Sequence, residues 1–224
     1  MEIAWFGSGC FRLRDRNTIA VTDPYLPDPS FQNLQIKADV TTLSVIDPKT
    51  RKLVAASRHE VYTIQGPGEY EIGGIFVRGL PAHRPSAESN GQDAGYVYRY
   101  TVDGISICHL GQLSAPPNQE VIDQFESPQV LIVPPGGRGS FSRGDAIRLV
   151  SAMTPSYVIP MGYAAAKPAE NKEAIDGFLH ELGMDLPEPA TALTIRRGAL
   201  SSENTEVVRL ESRAKLKRPV GEKT

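Results

Sequence analysis

Asp103-Gly104 stands between two alternating runs, Tyr96–Val102 and Ile105–His109, and leaves that part of the chain few options. An Asp-Gly pair flanked this way is the strongest short-range sign of a two-residue hairpin, because both residues accept the left-handed backbone such turns require. One antiparallel ribbon of a larger sheet is therefore expected here, and the run after it, Cys108–Leu113, should close a buried strand.

Upstream of this ribbon the pattern is almost wholly β. Glu2–Phe6, Cys10–Arg14 and Thr18–Thr22 read as short strands; Asp15-Arg16-Asn17 joins the last two as a hairpin, and Asp23-Pro24 closes the third. Tyr25–Asn33 is a loop rich in Pro and Asp. Asp39–Ile46 is a β-branched run ending at Asp47-Pro48. Glu60–Ile64 is a strand, and Glu69–Ile72 pairs with Ile75–Leu80 around Gly73-Gly74; Ser86–Gln92 is an exposed loop. Downstream the period changes. Asn118–Phe125 has helical spacing, Val130–Val133 is a short apolar strand, and Ser142 caps a helix running to about Met153. Tyr157–Ile159 is a buried strand, Lys172–Leu182 an amphipathic helix, and Ala192–Arg196 with Glu206–Leu210 a final strand pair. A β-only first half followed by strand–helix alternation implies two sheets packed together with helices outside.

A hydrophobic share of 40% in 224 residues supports a real core. The formal net charge of −2 argues against a nucleic-acid binder that works by bulk charge. No apolar run approaches the ~18 residues of a membrane span, and residues 1–6 open on a strand pattern rather than a leader. Cys10 and Cys108 lie in apolar surroundings and are expected to be reduced core residues of a cytoplasmic protein. Residues 1–212 are expected to form one domain. Residues 213–224 carry Arg213, Lys215, Lys217, Arg218 and Lys223 against Glu222 and are expected to be a flexible basic tail, with attachment to RNA or a partner as the alternative reading.

Several segments together carry a family resemblance. Trp5-Phe6-Gly7-Ser8-Gly9-Cys10-Phe11 and Ala20-Val21-Thr22-Asp23-Pro24 come first, then Gln65-Gly66-Pro67-Gly68-Glu69-Tyr70. His109-Leu110-Gly111-Gln112-Leu113 and Ile159-Pro160-Met161-Gly162-Tyr163 follow in the same order. Over roughly Met1–Leu210 the chain resembles metallo-β-lactamase-fold hydrolases, in particular their compact Zn-dependent branch. The resemblance implies an α/β (α+β) fold, a four-layer αββα sandwich of two facing mixed β-sheets with helices outside. It also implies a site at the sheet edges where Ser8, Asp23, Asp47, His83, Gln112 and Gly162 meet.

In that family a T-H-x-H-x-D-H segment, a later His, an Asp and a final His hold two metal ions, and the bound hydroxide attacks a carbonyl or phosphorus. Measured against it, Ser44-Val45-Ile46-Asp47-Pro48-Lys49-Thr50 has no histidine, and Asp47 alone there has a donor that coordinates metals. His83 matches the third histidine. Gln112 takes the bridging carboxylate's position, where a neutral amide is a poor ligand; Gly162 takes the final histidine's, and Ser8 that of an N-terminal histidine. A four-ligand zinc site is worth roughly 10–16 kcal/mol, so one surviving imidazole supplies about 3–4 kcal/mol, near a millimolar Kd. The expectation is therefore a metal-free protein without metal-hydroxide hydrolysis, a pseudo-hydrolase binding a small ligand or a protein in the pocket, with no cofactor and with His83 as the one weak metal candidate. Two alternatives stay open. One is an active hydrolase of lactone or phosphodiester type with a rearranged Zn site using Asp23, Asp47 and His83; the other is a scaffold or homo-oligomeric assembly protein.

Other residues read more plainly. Asp23 matches a position that orients the metal loop in active relatives, and here it is expected to bond loop N–H groups. Asp47 before Pro48 suits a turn start. His109 should point away from Gln112 and be structural, while His59 and His180 suit the surface. Pro134-Pro135-Gly136-Gly137-Arg138-Gly139 is a connector, with an anion site aided by Arg138 or Arg143 as the alternative. Cys10, Ser8 and Ser44 are nucleophile candidates only if one of them meets His83, and no activating motif accompanies them.

Overall fold

The computed structural model describes residues 1–24, 36–45, 61–82, 95–136, 141–161, 168–198 and 204–213. One sheet holds β1 (Glu2–Trp5), β2 (Phe11–Arg14), β3 (Ile19–Thr22), β4 (Val40–Thr42), β5 (Tyr62–Ile64) and the late β12 (Leu193–Thr194), in the order β12-β1-β2-β3-β4-β5. The other holds β6 (Gly68–Ile72), β7 (Ile75–Pro81), β8 (Tyr96–Val102), β9 (Ile105–His109), β10 (Val130–Val133), β11 (Tyr157–Pro160) and β13 (Glu206–Val207), in the order β13-β11-β10-β9-β8-β7-β6. Both are mixed. The strands β3, β4 and β5 are parallel in the first sheet, and β9, β10, β11 and β13 in the second; the remaining pairs are antiparallel.

The Asp103-Gly104 turn forms as its residues dictate, with φ of 53° and 73° and Val102 opposite Ile105. On its inner face Tyr98 and Tyr100 are fully buried, so each hydroxyl must find a partner inside. The Tyr100 hydroxyl bonds Thr42 Oγ1 at 2.5 Å, and Tyr98 donates to the Leu43 carbonyl at 2.9 Å while accepting the Gly66 N–H at 3.2 Å. These bonds join the two sheets across a core that includes Ile3, Phe11 and Leu13 from the first and Val77, Ile107 and Ile132 from the second.

Every residue of β10 is buried, which an apolar strand achieves only when both faces of its sheet are covered. The inner face meets the first sheet, and helices cover the outer one: α1 (Gln119–Phe125), α2 (Arg143–Met153) and α3 (Pro168–Glu181). Arg78 and Arg99, on the outer side of β7 and β8, donate to the Gln124 and Phe125 carbonyls at the end of α1. At the start of α2, Ser142 Oγ accepts the Asp145 N–H while Asp145 Oδ2 accepts the Ser142 N–H, a capping box worth about 1 kcal/mol.

The β-branched run from Asp39 forms β4, which stops at Thr42, and Val45 bridges Gly95 beside β8 of the other sheet. Two sequence expectations are corrected. The two late strands do not pair with each other. Each instead extends the free edge of a sheet, β12 on β1 and β13 on β11, since unpaired edges offer complete rows of donors and acceptors. The last helix begins at Pro168 rather than Lys172, with proline in the first turn, where its missing N–H costs nothing.

Candidate functional site

Segments leaving the C-terminal ends of β3, β4 and β9 meet at one edge of the sandwich. That is where parallel strands leave backbone groups free to build a site. Asp23, one residue past β3, is 1% exposed and has no cation among its contacts with the described residues. Its two oxygens are taken by one residue: Ser44 N–H donates to Oδ1 at 2.7 Å, and Ser44 Oγ donates to Oδ2 at 2.6 Å. This strut is why the chain leaves the first sheet after Thr42. Ser44 then accepts the Tyr96 N–H at 2.7 Å on its carbonyl and the Gln112 N–H at 3.1 Å on its hydroxyl. Burial pushes the Asp23 carboxyl up to about 7, although the Ser44 bonds and the nearby Gln112 amide favour its ionised form.

Opposite lies the turn after β1. The Gly9 carbonyl accepts Thr22 Oγ1 at 2.5 Å and His109 Nε2 at 3.1 Å, and Trp5 Nε1 donates to the Ser8 carbonyl at 2.9 Å. His109 thus carries its proton on Nε2 and ties the second sheet to the first sheet's turn. Burial holds its pKa down to about 3, so it is neutral, and its Nδ1 is buried without a partner. Backbone strain gathers at the same place. Ser8 and Asp23 adopt φ of 49° and 37°, a region that costs a non-glycine residue about 1–3 kcal/mol.

The structure thus brings the Ser8-Gly9 turn, Asp23 and Gln112 to one edge. Asp47, His83 and Gly162 lie outside the described residues, as do His59 and Arg138. Their chain neighbours are described. Val45 and Ala82 both meet Gly95, and the Met161 N–H bonds the Val133 carbonyl at the end of β10. Ser44 is fully buried with its hydroxyl committed to Asp23, and burial raises the Cys10 thiol far above its ordinary range, so neither is a nucleophile in this geometry. At the start of α2, Arg143 pairs with Glu181 at 3.1 Å and lies against Gly177. His180 is exposed.

Sequence reading missed Gly9 and Gly111 and mistook the part Ser44 plays. The signal for Gly111 was its place between a strand end and a polar residue. Its φ is 67°, and a Cβ there would meet Ser44 Cβ at 2.4 Å and the Tyr96 carbonyl oxygen at 3.0 Å. Nothing local in the sequence shows that Ser44 anchors Asp23, which lies 21 residues earlier.

Among the described residues no three of His, Cys, Asp and Glu converge as a metal would need. The one described carboxylate at this edge has both oxygens engaged by Ser44, so the described residues do not form a metal-binding set.

Residues 2–162 match the family described as the Beta-lactamase superfamily domain. A UPF0173 protein of Pyrococcus furiosus is 28% identical over 77% of this chain and 88% of its own length. The UPF0173 metal-dependent hydrolase of Methanopyrus kandleri is 26% identical over 83% of this chain and 94% of its own length. Among solved structures, a metallo-beta-lactamase superfamily protein of Thermotoga maritima superposes with a TM-score of 0.72 at 26% identity, covering 94% of this chain and 98% of its own. These relatives correct the expectation of a metal-free pseudo-hydrolase: proteins alike over most of their length are named metal-dependent hydrolases. By its family match and by the two facing mixed sheets that place Asp23, Ser44 and Gln112 at one edge, this chain belongs to the Beta-lactamase superfamily.

Proposed function

We propose that this chain is a hydrolase of the metal-dependent kind for which its relatives are named, acting on a lactone or a phosphodiester, with its donors rearranged from the family pattern. The observation that carries the reading is the Asp23–Ser44 strut. It keeps a carboxyl buried with no cation among its contacts with the described residues, in a strained backbone, at the edge where the relatives' chemistry is expected. A fold that needed only stability would gain by replacing that acid with a neutral group, since burying a charge without a counter-charge is costly. Strain of this sort persists where it positions something.

The part played by the described residues is positional. Asp23 fixes Ser44, where the chain has left β4, three residues before Asp47 in the sequence. Thr22 and His109 fix Gly9, and Gly95 ties Val45 to Ala82, the residue before His83. Asp47 and His83 are the candidate donors of the rearranged set, and no metal-borne step is assigned to the described residues. Metal analysis of the purified protein beside a His83→Ala variant tests the reading. Near-stoichiometric Zn, Mn or Fe in the wild type and its loss in the variant are expected; a wild type without metal that hydrolyses neither class of ester overturns it.

A further inference from the structure

The second sheet ends on β6, and no described strand pairs with the outer side of that strand. Its register shows what this side offers. Ile72 and Ile75 flank the two-residue Gly73-Gly74 turn and so exchange both of their backbone bonds. Alternation then turns the N–H and C=O groups of Glu69 and Glu71 away from β7, toward the open side. Their side chains share one face of the strand and are exposed, that of Glu69 by 80%. Tyr70, between them, takes the opposite face, where its ring lies 6.3 Å from that of Tyr62, itself 54% exposed.

A strand side of this kind is a template for another strand. A second β6 does not suit it, because a two-fold pairing centred on Tyr70 sets Glu69 against Glu71, and like charges directly opposite are destabilising. The fitting partner is an extended segment with basic residues two apart and an apolar residue between them. Lys215-Leu216-Lys217 has that pattern, and Pro219 stops it two residues later. Paired antiparallel, Lys215 stands opposite Glu71, Leu216 opposite Tyr70 and Lys217 opposite Glu69. The wider charge agrees: residues 213–224 carry +4 and the rest of the chain −6.

Within one copy this segment does not reach. Arg213 is fixed beside β1, its N–H on the Trp5 carbonyl at 2.9 Å and its Nε on the Thr191 carbonyl at 3.2 Å. From β1 to β5, the strand that leads into β6, there are four strand spacings, about 19 Å. The four residues from Arg213 to Lys217 span at most about 14 Å. We propose that residues 214–218 of one copy add as a strand to β6 of a second copy, with the two lysines on Glu69 and Glu71 and Leu216 on the Tyr62–Tyr70 pair. This interface between copies does not rest on the function proposed above.

Sedimentation velocity of the full-length protein at low and high salt tests it. Wild type should associate at low salt and come apart as salt rises, since exposed ion pairs are screened. Glu69→Lys with Glu71→Lys, and separately Lys215→Glu with Lys217→Glu, should each weaken association about tenfold or more. Mixed in equal amounts the two double variants should associate again, because each then offers a strand that fits the other's tail. Ending the chain after Arg213 should give a monomer without touching β6. A wild type that is monomeric at low salt, a double variant that associates as tightly as wild type, or a mixture of the two variants that stays monomeric while both melt as wild type does would overturn the proposal.

Discussion

Gly111→Ala is expected to destabilise the protein by about 2–5 kcal/mol, the sum of left-handed strain in a non-glycine residue and an overpacked contact. Its φ of 67° is the first reason. The second is what a Cβ would meet: Ser44 Cβ at 2.4 Å, Ser44 Oγ at 2.9 Å and the Tyr96 backbone oxygen at 3.0 Å. None of these yields cheaply, because Ser44 is pinned by Asp23 and the Tyr96 oxygen belongs to a backbone. Gly74 supplies the control. It has a φ of 85° but nothing within 4 Å of the added atom, so Gly74→Ala should cost only about 1–2 kcal/mol of backbone strain. Thermal denaturation should then show Gly111→Ala melting about 10 °C below wild type, with Gly74→Ala only a few degrees below. Equal losses would mean that position 111 is not packed against Ser44.

The second large effect is a pH dependence that appears only when one of two groups is removed. Asp23 has a carboxyl raised to about 7 when folded, against about 3.9 in an unfolded chain. The folded state therefore holds a proton that the unfolded state has lost, and this group's contribution falls as pH rises between those values. His109 does the reverse. It titrates at about 3 when folded and near 6.5 when unfolded, so its contribution is present above 6.5 and is lost as pH falls. Between pH 4 and 6.5 the folded form carries the acid's proton and the unfolded form the imidazole's, and the two slopes cancel. For these groups wild-type stability should be level across that window. Asp23→Asn removes one slope and exposes the other, so the variant should be about 2–3 kcal/mol more stable at pH 6.5 than at pH 4.5, at ~1.4 kcal/mol per pH unit. Urea unfolding at the two pH values measures this directly. A variant as level as the wild type would show that at least one of the two groups is not buried as described.

Much of the fold was legible because single residues announced it. Asp103-Gly104 fixed a hairpin, Gly73-Gly74 another, and Ser142 the start of α2. The late strands were misread because two short β runs in sequence resemble a pair, and only three-dimensional context shows that each has a free edge to join. At the site, Asp23 and Gln112 could be picked out as polar residues at the ends of apolar strands. The role of Ser44 could not, since its partner is distant in sequence and a serine after a strand usually means only a turn. His109 shows the same limit. Strand alternation says which face a side chain takes, and here only the tertiary structure brings the Gly9 carbonyl to that face.

The proposed function requires that the edge built by Asp23, Ser44 and Gln112 serve a reaction. The most direct measurement is kcat/KM for a lactone and a phosphodiester, compared between wild type and Asp23→Asn at pH 6.5, where the variant should remain folded. Removing a partner that orients a reactive site typically lowers activity about 10–100-fold. The prediction is turnover of one of the two esters by the wild type and a loss of that size in the variant without a lower melting temperature. Equal turnover in both proteins, or none in either, would contradict it.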